Sequence, residues 1–316
     1  MAPVSTFLLR AAVVLALIGA LVGCQKSSGG STAGPRTIVV TYSILGSLVK
    51  DLAGDSFAVA VEIPNGLDPH EWEPSARDIE ALNKAALVVE NGLALEGGLE
   101  KTLSAARAAG VPFFTASDHV AVRRVGAGEG IPSGDPDQAV GAADPHLWMD
   151  PVSMKMVVDA LAARLKDLFG TDLSARQADL SARQADLDAR LDALDRELHF
   201  LVDSLPRESR RLVTGHESLG WFAARYGFTV VGAIIPSLST QAEVSAGRLA
   251  ALKSLILLHP VNAVFTELGT PKPVVDALGK ELHVNAVALG THTLPPDGSY
   301  FTFMRDLVRL VCDSLR

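Results

Sequence analysis

Between residues 173 and 201 leucine recurs at 173, 180, 187, 194 and 201, and the heptad 174–180 is repeated unchanged as 181–187. Ala, Arg, Gln, Glu and Asp fill most of the remaining positions, and no Gly or Pro interrupts the run until Pro206. Good helix formers without a breaker predict one long helix. A leucine heptad is also the pattern of a dimeric coiled coil. Here the stripe is thin, alanines flank it, and it joins two α/β halves. That favours a rigid linking helix over 171–205 within a monomer, with the zipper as the alternative.

Each half alternates strand-like and helix-like patterns. β-Branched and apolar runs at 37–42, 57–63, 86–90 and 112–116 are separated by helical periodicity at 76–84 and 98–109, and 154–169 is helical again. After the long run, strands are expected at 211–214, 229–234, 262–266 and 283–289. Such alternation implies βαβ units and parallel sheets. The expected fold is therefore α/β: a lobe at 36–170 and a lobe at 206–316, each with a roughly four-stranded parallel sheet, joined by the helix. Open α/β sheets bind ligands beyond the carboxyl ends of their strands, which places a cleft between the lobes. Residues 126–143 are rich in Gly, Pro, Ala and Asp and read as a loop. A net charge of −8 argues against a nucleic-acid partner, which requires a basic face.

The first residues read as targeting rather than fold. Arg10 precedes an apolar stretch at 11–20, too short to span a bilayer, and Leu21-Val22-Gly23-Cys24 resembles a bacterial lipobox. A signal peptide at 1–24, lipidation of Cys24 and a Ser/Gly-rich tether at 25–35 follow from that, with a plain signal peptide as the alternative. The implied location is extracytoplasmic, lipid-anchored to the bacterial membrane. Cys312, the one other cysteine, lies in an apolar helical pattern, so no intramolecular disulfide is expected.

Three histidines stand in chemically pointed contexts: Asp68-Pro69-His70-Glu71-Trp72, Asp144-Pro145-His146-Leu147-Trp148 and Thr214-Gly215-His216-Glu217. Neutral imidazole is the commonest protein ligand for zinc-like cations. A nearby tryptophan can wall off a ring from water, and Asp68, Asp144 or Asp150 can accept the second ring proton. The spacing alone matches no compact metal signature, so structural loops remain the competing reading. His199, His259, His283 and His119 read as packing, helix-end, strand-start and turn residues.

The stretches 64–75, 91–96, 144–151 and 216–227, with Val244-Ser245, Phe265-Thr266-Glu267 and the terminal run 300–315, closely resemble the solute-binding proteins of zinc and manganese ABC transporters, the cluster A-I metal-binding lipoproteins. The similarity covers nearly everything after the tether, in the same order. It implies two α/β lobes bridged by a rigid helix and a metal ion held between them by His70, His146 and His216. It also implies delivery of that ion to a membrane permease driven by a separate ATPase. Histidine at the third position points to Zn2+ over Mn2+, in line with imidazole favouring zinc and carboxylate favouring manganese. The chain departs from the family where relatives place an aspartate as fourth ligand. An ungapped alignment puts Val287 there, and a gap puts His292 there; Glu267 and water are further candidates. In some zinc-binding relatives the region of 126–143 carries a His-rich insertion. Here it holds Glu129, Asp135 and Asp137, and reads as passive. A zinc hydrolase and a surface adhesin are the other functional classes, and Glu217 is the one candidate base for the former.

Overall fold

A computed structural model describes residues 36–127, 129, 139–170 and 177–316. The expected signal peptide, Cys24, the tether, most of the 126–143 loop and the start of the linking run with Leu173 lie outside the described residues.

The first sheet is built around β1 (Thr37–Tyr42), whose sequence TIVVTY is buried at every position but the first. β-Branched runs without alternation suit a strand covered on both faces. β1 pairs in parallel with β2 (Ala58–Ile63) on one side and β3 (Leu87–Glu90) on the other, with Val39 opposite Ala60 and Val88. β4 (Phe113–Thr115) completes the order β2-β1-β3-β4. Three helices connect these strands: α1 (Ser43–Ala53), α2 (Ala76–Lys84) and α3 (Glu100–Ala108). α4 (Pro151–Phe169) opens with Pro151 at its first turn and with Asp150 accepting the Val152 N–H, a cap that fixes where the preceding chain must stop.

The linking helix, α5 (Gln177–Asp203), runs 27 residues and so spans about 40 Å. Its buried stripe is Leu180, Leu187, Leu191, Leu194, Leu198 and Val202. Burying each of these is worth about 2 kcal/mol relative to exposure. The heptad leucines are thus only part of the seam. Leu191 and Leu198 widen it, because α5 lies against α4 and α1 and against the last helix, α9 (Tyr300–Leu315). The surface that a zipper would need is buried within the chain itself.

The second lobe carries four strands, paired differently from those of the first. β5 (Arg211–Thr214) pairs in parallel with β6 (Thr229–Ala233), and β7 (Ala263–Thr266) with β8 (Asn285–Ala288). β5 and β7 run close together, but the two ladders stay separate. The helices here are α6 (Gly220–Tyr226), α7 (Ala246–Leu258) and α8 (Lys272–Leu282). His283 does not begin a strand: at φ +55° it caps α8 in the left-handed conformation, and β8 starts two residues later.

α9 returns from the second lobe to the first. Ser47 Oγ of α1 accepts from Tyr300 N at 3.1 Å and donates to Gly298 O at 2.8 Å. One apolar core consequently runs through both lobes, taking in Val39 and Leu161 as well as Phe222, Phe265 and Tyr300. A smaller cluster around Val213, Leu252, Val264 and Leu278 belongs to the second lobe alone. Cys312 is buried in the shared core.

Candidate metal centre

Each of the four histidines reaches the centre from a different connection. His70 follows β2 in a turn where Asp68 Oδ1 accepts its backbone N–H at 2.9 Å. The turn 92–99 packs directly on this segment: a side chain at Gly98 would run into Trp72 O, so only glycine allows the approach. His146 sits in an equivalent turn, where Asp144 Oδ1 accepts its backbone N–H at 3.0 Å. His216 lies two residues beyond β5, and His292 four residues beyond β8. Three of the four therefore sit past the carboxyl ends of strands, where an α/β sheet leaves room for a ligand.

One ring nitrogen from each of His70, His146, His216 and His292 can be chosen so that all four lie within 4.8 Å of one another, and all four residues are buried. The six ring-centroid separations run only from 5.1 to 6.0 Å. Four points with six nearly equal separations form a tetrahedron, the arrangement zinc takes with nitrogen ligands. His146 Nε2 and His216 Nε2 face each other at 3.1 Å. Two nitrogens bound tetrahedrally at the usual Zn–N length stand about 3.3 Å apart. The Nε2 atoms of His70 and His292 are buried without a hydrogen-bond partner. Buried imidazole nitrogens without a hydrogen-bond partner are satisfied by an electrophile such as a metal ion.

The groups behind the rings differ. Asp144 Oδ1 takes the Nδ1–H of His146 at 2.9 Å, while its Oδ2 accepts from Arg123 at 2.9 Å. Arg123 is also paired with Glu129. Helix α6 begins at Gly220 directly over the Arg123–Asp144 pair, where any side chain would collide with both partners. Glu267, directly after β7, lies with Oε2 3.0 Å from His216 Nδ1, out of line for a well-directed hydrogen bond. Trp148 is fully buried against the His146 and His292 rings at 5.3 and 5.4 Å, and its indole N–H donates to Thr291 O at 3.0 Å. A cavity of about 280 Å³ opens beside His70, lined by Leu93, Ala94, Pro145 and Leu238.

These surroundings separate the proton affinities of the rings. Burial, reinforced by the neighbouring imidazoles, holds His70 and His292 well below the ordinary histidine range. Burial also lowers His146, with Asp144 opposing it. For His216 burial acts downward too, but Glu267, aided by Asp68 and Asp144, outweighs it and the net shift is upward. Glu267 itself is held low despite its burial by His216, Ser218 and Thr291.

Of the residues expected from sequence, His70, His146, His216 and His292 come together. Glu267 stands one layer behind them, and Val287 lies in the β7–β8 ladder opposite Phe265. Asp150 caps α4 rather than serving a ring. Glu217 lines a separate small cavity with Arg123 and Glu129. The sequence reading assigns no role to Arg123, Ser218 or Thr291. No spacing rule flags an arginine twenty-one residues ahead of its partner, whereas Thr291, adjacent to a candidate histidine, was within reach.

Two α/β lobes fixed by a long helix, with a buried imidazole cluster where the lobes meet, define a solute-binding protein for a metal ion. Residues 38–311 match the family described as zinc-uptake complex component A, periplasmic, and the chain belongs to that family. Its members are receptors of ABC transporters and not enzymes, so the hydrolase alternative falls. The chain is 29% identical to the zinc-binding protein TroA of Treponema pallidum, over 92% of this chain and 88% of that one. It is 26% identical to the manganese ABC transporter substrate-binding lipoprotein PsaA of Streptococcus pneumoniae, over 96% and 97%. The solved structure of the periplasmic zinc-binding protein TroA superposes with a TM-score of 0.75 at 25% identity, covering 89% of this chain and 99% of that one.

Proposed function

We propose that this chain is the extracytoplasmic receptor of a zinc importer, holding Zn2+ through His70, His146, His216 and His292. It would be anchored to the membrane by lipid on Cys24 and would pass the ion to a permease powered by a separate ATPase. The lobes expected at 36–170 and 206–316, held by α5 (Gln177–Asp203), are the frame for that site. The observation that carries the choice of metal is the donor set. Four imidazoles converge and, among the described residues, no carboxylate oxygen joins them. Nitrogen-rich tetrahedral sites favour zinc, whereas manganese prefers oxygen donors and higher coordination. With neutral ligands the buried site keeps the ion's +2 charge, which Glu267 and the Arg123-paired Asp144 offset from behind the rings. The names of the relatives divide between the two metals, so a manganese receptor is the second reading.

Elemental analysis of protein purified without added metal, paired with competitive zinc and manganese titrations, tests the reading. Zinc should be retained and should displace manganese. Retained manganese, or tighter manganese binding, would overturn the metal assignment while leaving the receptor class standing.

A further inference from the structure

Glu267 is buried directly after β7 and collects polar contacts from two other segments, the loops after β5 and β8. Its Oε2 accepts from Ser218 Oγ at 2.6 Å and from Thr291 Oγ1 at 2.8 Å, and lies 3.0 Å from His216 Nδ1. Its Oε1 accepts from Gly215 N at 3.2 Å. Thr291 Oγ1 is in turn 3.0 Å from His292 Nδ1.

A proton count fixes the direction of this chain of contacts. A carboxylate only accepts, so the single hydroxyl proton of Thr291 goes to Glu267. Thr291 Oγ1 then has only lone pairs to offer His292, and His292 Nδ1 must carry the ring proton. The free lone pair of His292 is therefore on Nε2, the buried atom that has no hydrogen-bond partner. His216 is arranged alike: Nδ1 is turned to the same carboxylate and Nε2 faces His146.

We propose that Glu267 is a positioning residue which sets the tautomers of two histidines on different loops, His216 through its charge 3.0 Å from Nδ1 and His292 through the Thr291 hydroxyl. Both rings then present Nε2 lone pairs to one point. The inference rests on the reading that these histidines hold the metal ion. His146 has its own carboxylate two residues away, whereas His216 and His292 share one that neither is near in sequence. Shared support makes the two second-lobe rings a unit: disturbing Glu267 disturbs both.

The test uses the full chain stripped of metal, with zinc as the probe in competition titrations. Thr291→Val removes the acceptor for His292 and should weaken zinc binding about 10- to 100-fold, the usual effect of losing a group that orients a ligand. Thr291→Ser keeps the hydroxyl and should restore affinity to within a few-fold. Glu267→Gln should weaken binding at least as much as Thr291→Val. Ring nitrogen NMR shifts of the metal-free protein report the tautomer itself: His292 should carry its proton on Nδ1 in the parent and in Thr291→Ser, and lose that preference in Thr291→Val. Retained zinc affinity in both Thr291→Val and Glu267→Gln, or an unchanged His292 tautomer in both, would overturn the proposal. His292→Ala separates the two levels. If that variant binds zinc as the parent does, the metal reading of His292 fails and takes the relay with it. If it weakens binding while the other two do not, the relay alone is wrong.

Discussion

At Asp68-Pro69-His70 and at Asp144-Pro145-His146 the aspartate Oδ1 accepts the backbone N–H of the histidine two residues on, at 2.9 and 3.0 Å. At the second site alone the same oxygen also takes the ring Nδ1–H, and Arg123 neutralises the carboxylate's other oxygen. The tryptophans diverge as well. Trp148 is sealed against the histidine rings, while Trp72 packs half-buried on the first-lobe core. The cause lies downstream. Pro151 and the Asp150 cap start α4 at once and hold 147–149 in a tight turn. After Trp72 the chain instead runs on past Pro74 to the surface before α2 begins. One tripeptide thus dictates one local turn, and its surroundings decide whether the aspartate orients a ring or only a backbone.

The largest expected effect separates the two rings themselves. Zinc bound by four protein ligands is held by about 10–16 kcal/mol, so one ligand in four is worth about 2.5–4 kcal/mol, a roughly hundred- to thousand-fold change in affinity. His146→Ala should lose that much, because its ring is the one locked by both a carboxylate and an indole. His70→Ala should lose less, since His70 borders the open cavity and a water can take its place. Calorimetric zinc titration of both variants checks the order. A larger loss for His70→Ala would break the comparison, and melting curves of the metal-free proteins show whether the fold has survived.

The aspartates come next. Asp144→Asn leaves the turn but offers His146 an ambiguous partner, and it strips Arg123 of one of its two carboxylates; zinc affinity should fall about 10- to 100-fold. Asp68→Asn weakens the bond to the His70 backbone, a contact worth about 1 kcal/mol, and removes a charge that acts on His216 only in support of Glu267, and it should change affinity by a few-fold at most. Equal losses at the two positions would mean that the ring contact at 144 is not what distinguishes them.

The same contrast explains how much the sequence revealed. The Asp-Pro-His motifs, the β-branched runs and the unbroken 173–205 stretch all encode local geometry, and local geometry is what periodicity and turn chemistry report. The strands appeared where those patterns put them, within one or two residues at most ends. What stayed hidden was pairing over distance. The second lobe's strands form two separate ladders, α9 crosses back to Ser47, and Glu267 serves two histidines from behind. None of these leaves a mark at fixed spacing. His292 is legible only in part: it stands beside Glu267 and water as a candidate, because a departure in residue type near a gap gives no register.

Protons give a third comparison, between this pair and His216. His70 and His146 are both lowered, so neither should hold a proton for zinc to displace near neutrality, whereas His216 is raised above the ordinary value of 6.5. A raised group is protonated below its own pKa and must lose that proton when zinc binds, so affinity falls as pH drops through that range. The expected slope is one proton per ion, roughly tenfold in affinity per pH unit, below that raised pKa. Glu96, pushed up to about 7 by burial, also titrates near neutrality but bonds Thr41, Asn91 and Gly92 rather than a histidine. A Glu96→Gln control removes it from the count. A slope of two or more in that control would mean that the Asp-Pro-His rings also titrate.

The smallest effect concerns the tryptophans. Trp148→Phe keeps an aromatic face toward His146 and His292 but deletes the N–H that bonds Thr291 O. Thr291 sits between Glu267 and His292, so loosening its backbone should carry to the His292 ring and to neither ring of the first lobe. One buried hydrogen bond is worth about 1 kcal/mol, and the expected loss of zinc affinity is about fivefold. Trp72→Phe, half-buried and away from the rings, should alter the melting temperature slightly and zinc binding not at all. Fluorescence-detected zinc competition on both variants resolves a difference of that size. If Trp72→Phe weakens binding as much as Trp148→Phe, the effect comes from first-lobe packing in general, and Trp148 has no specific hold on the His292 loop.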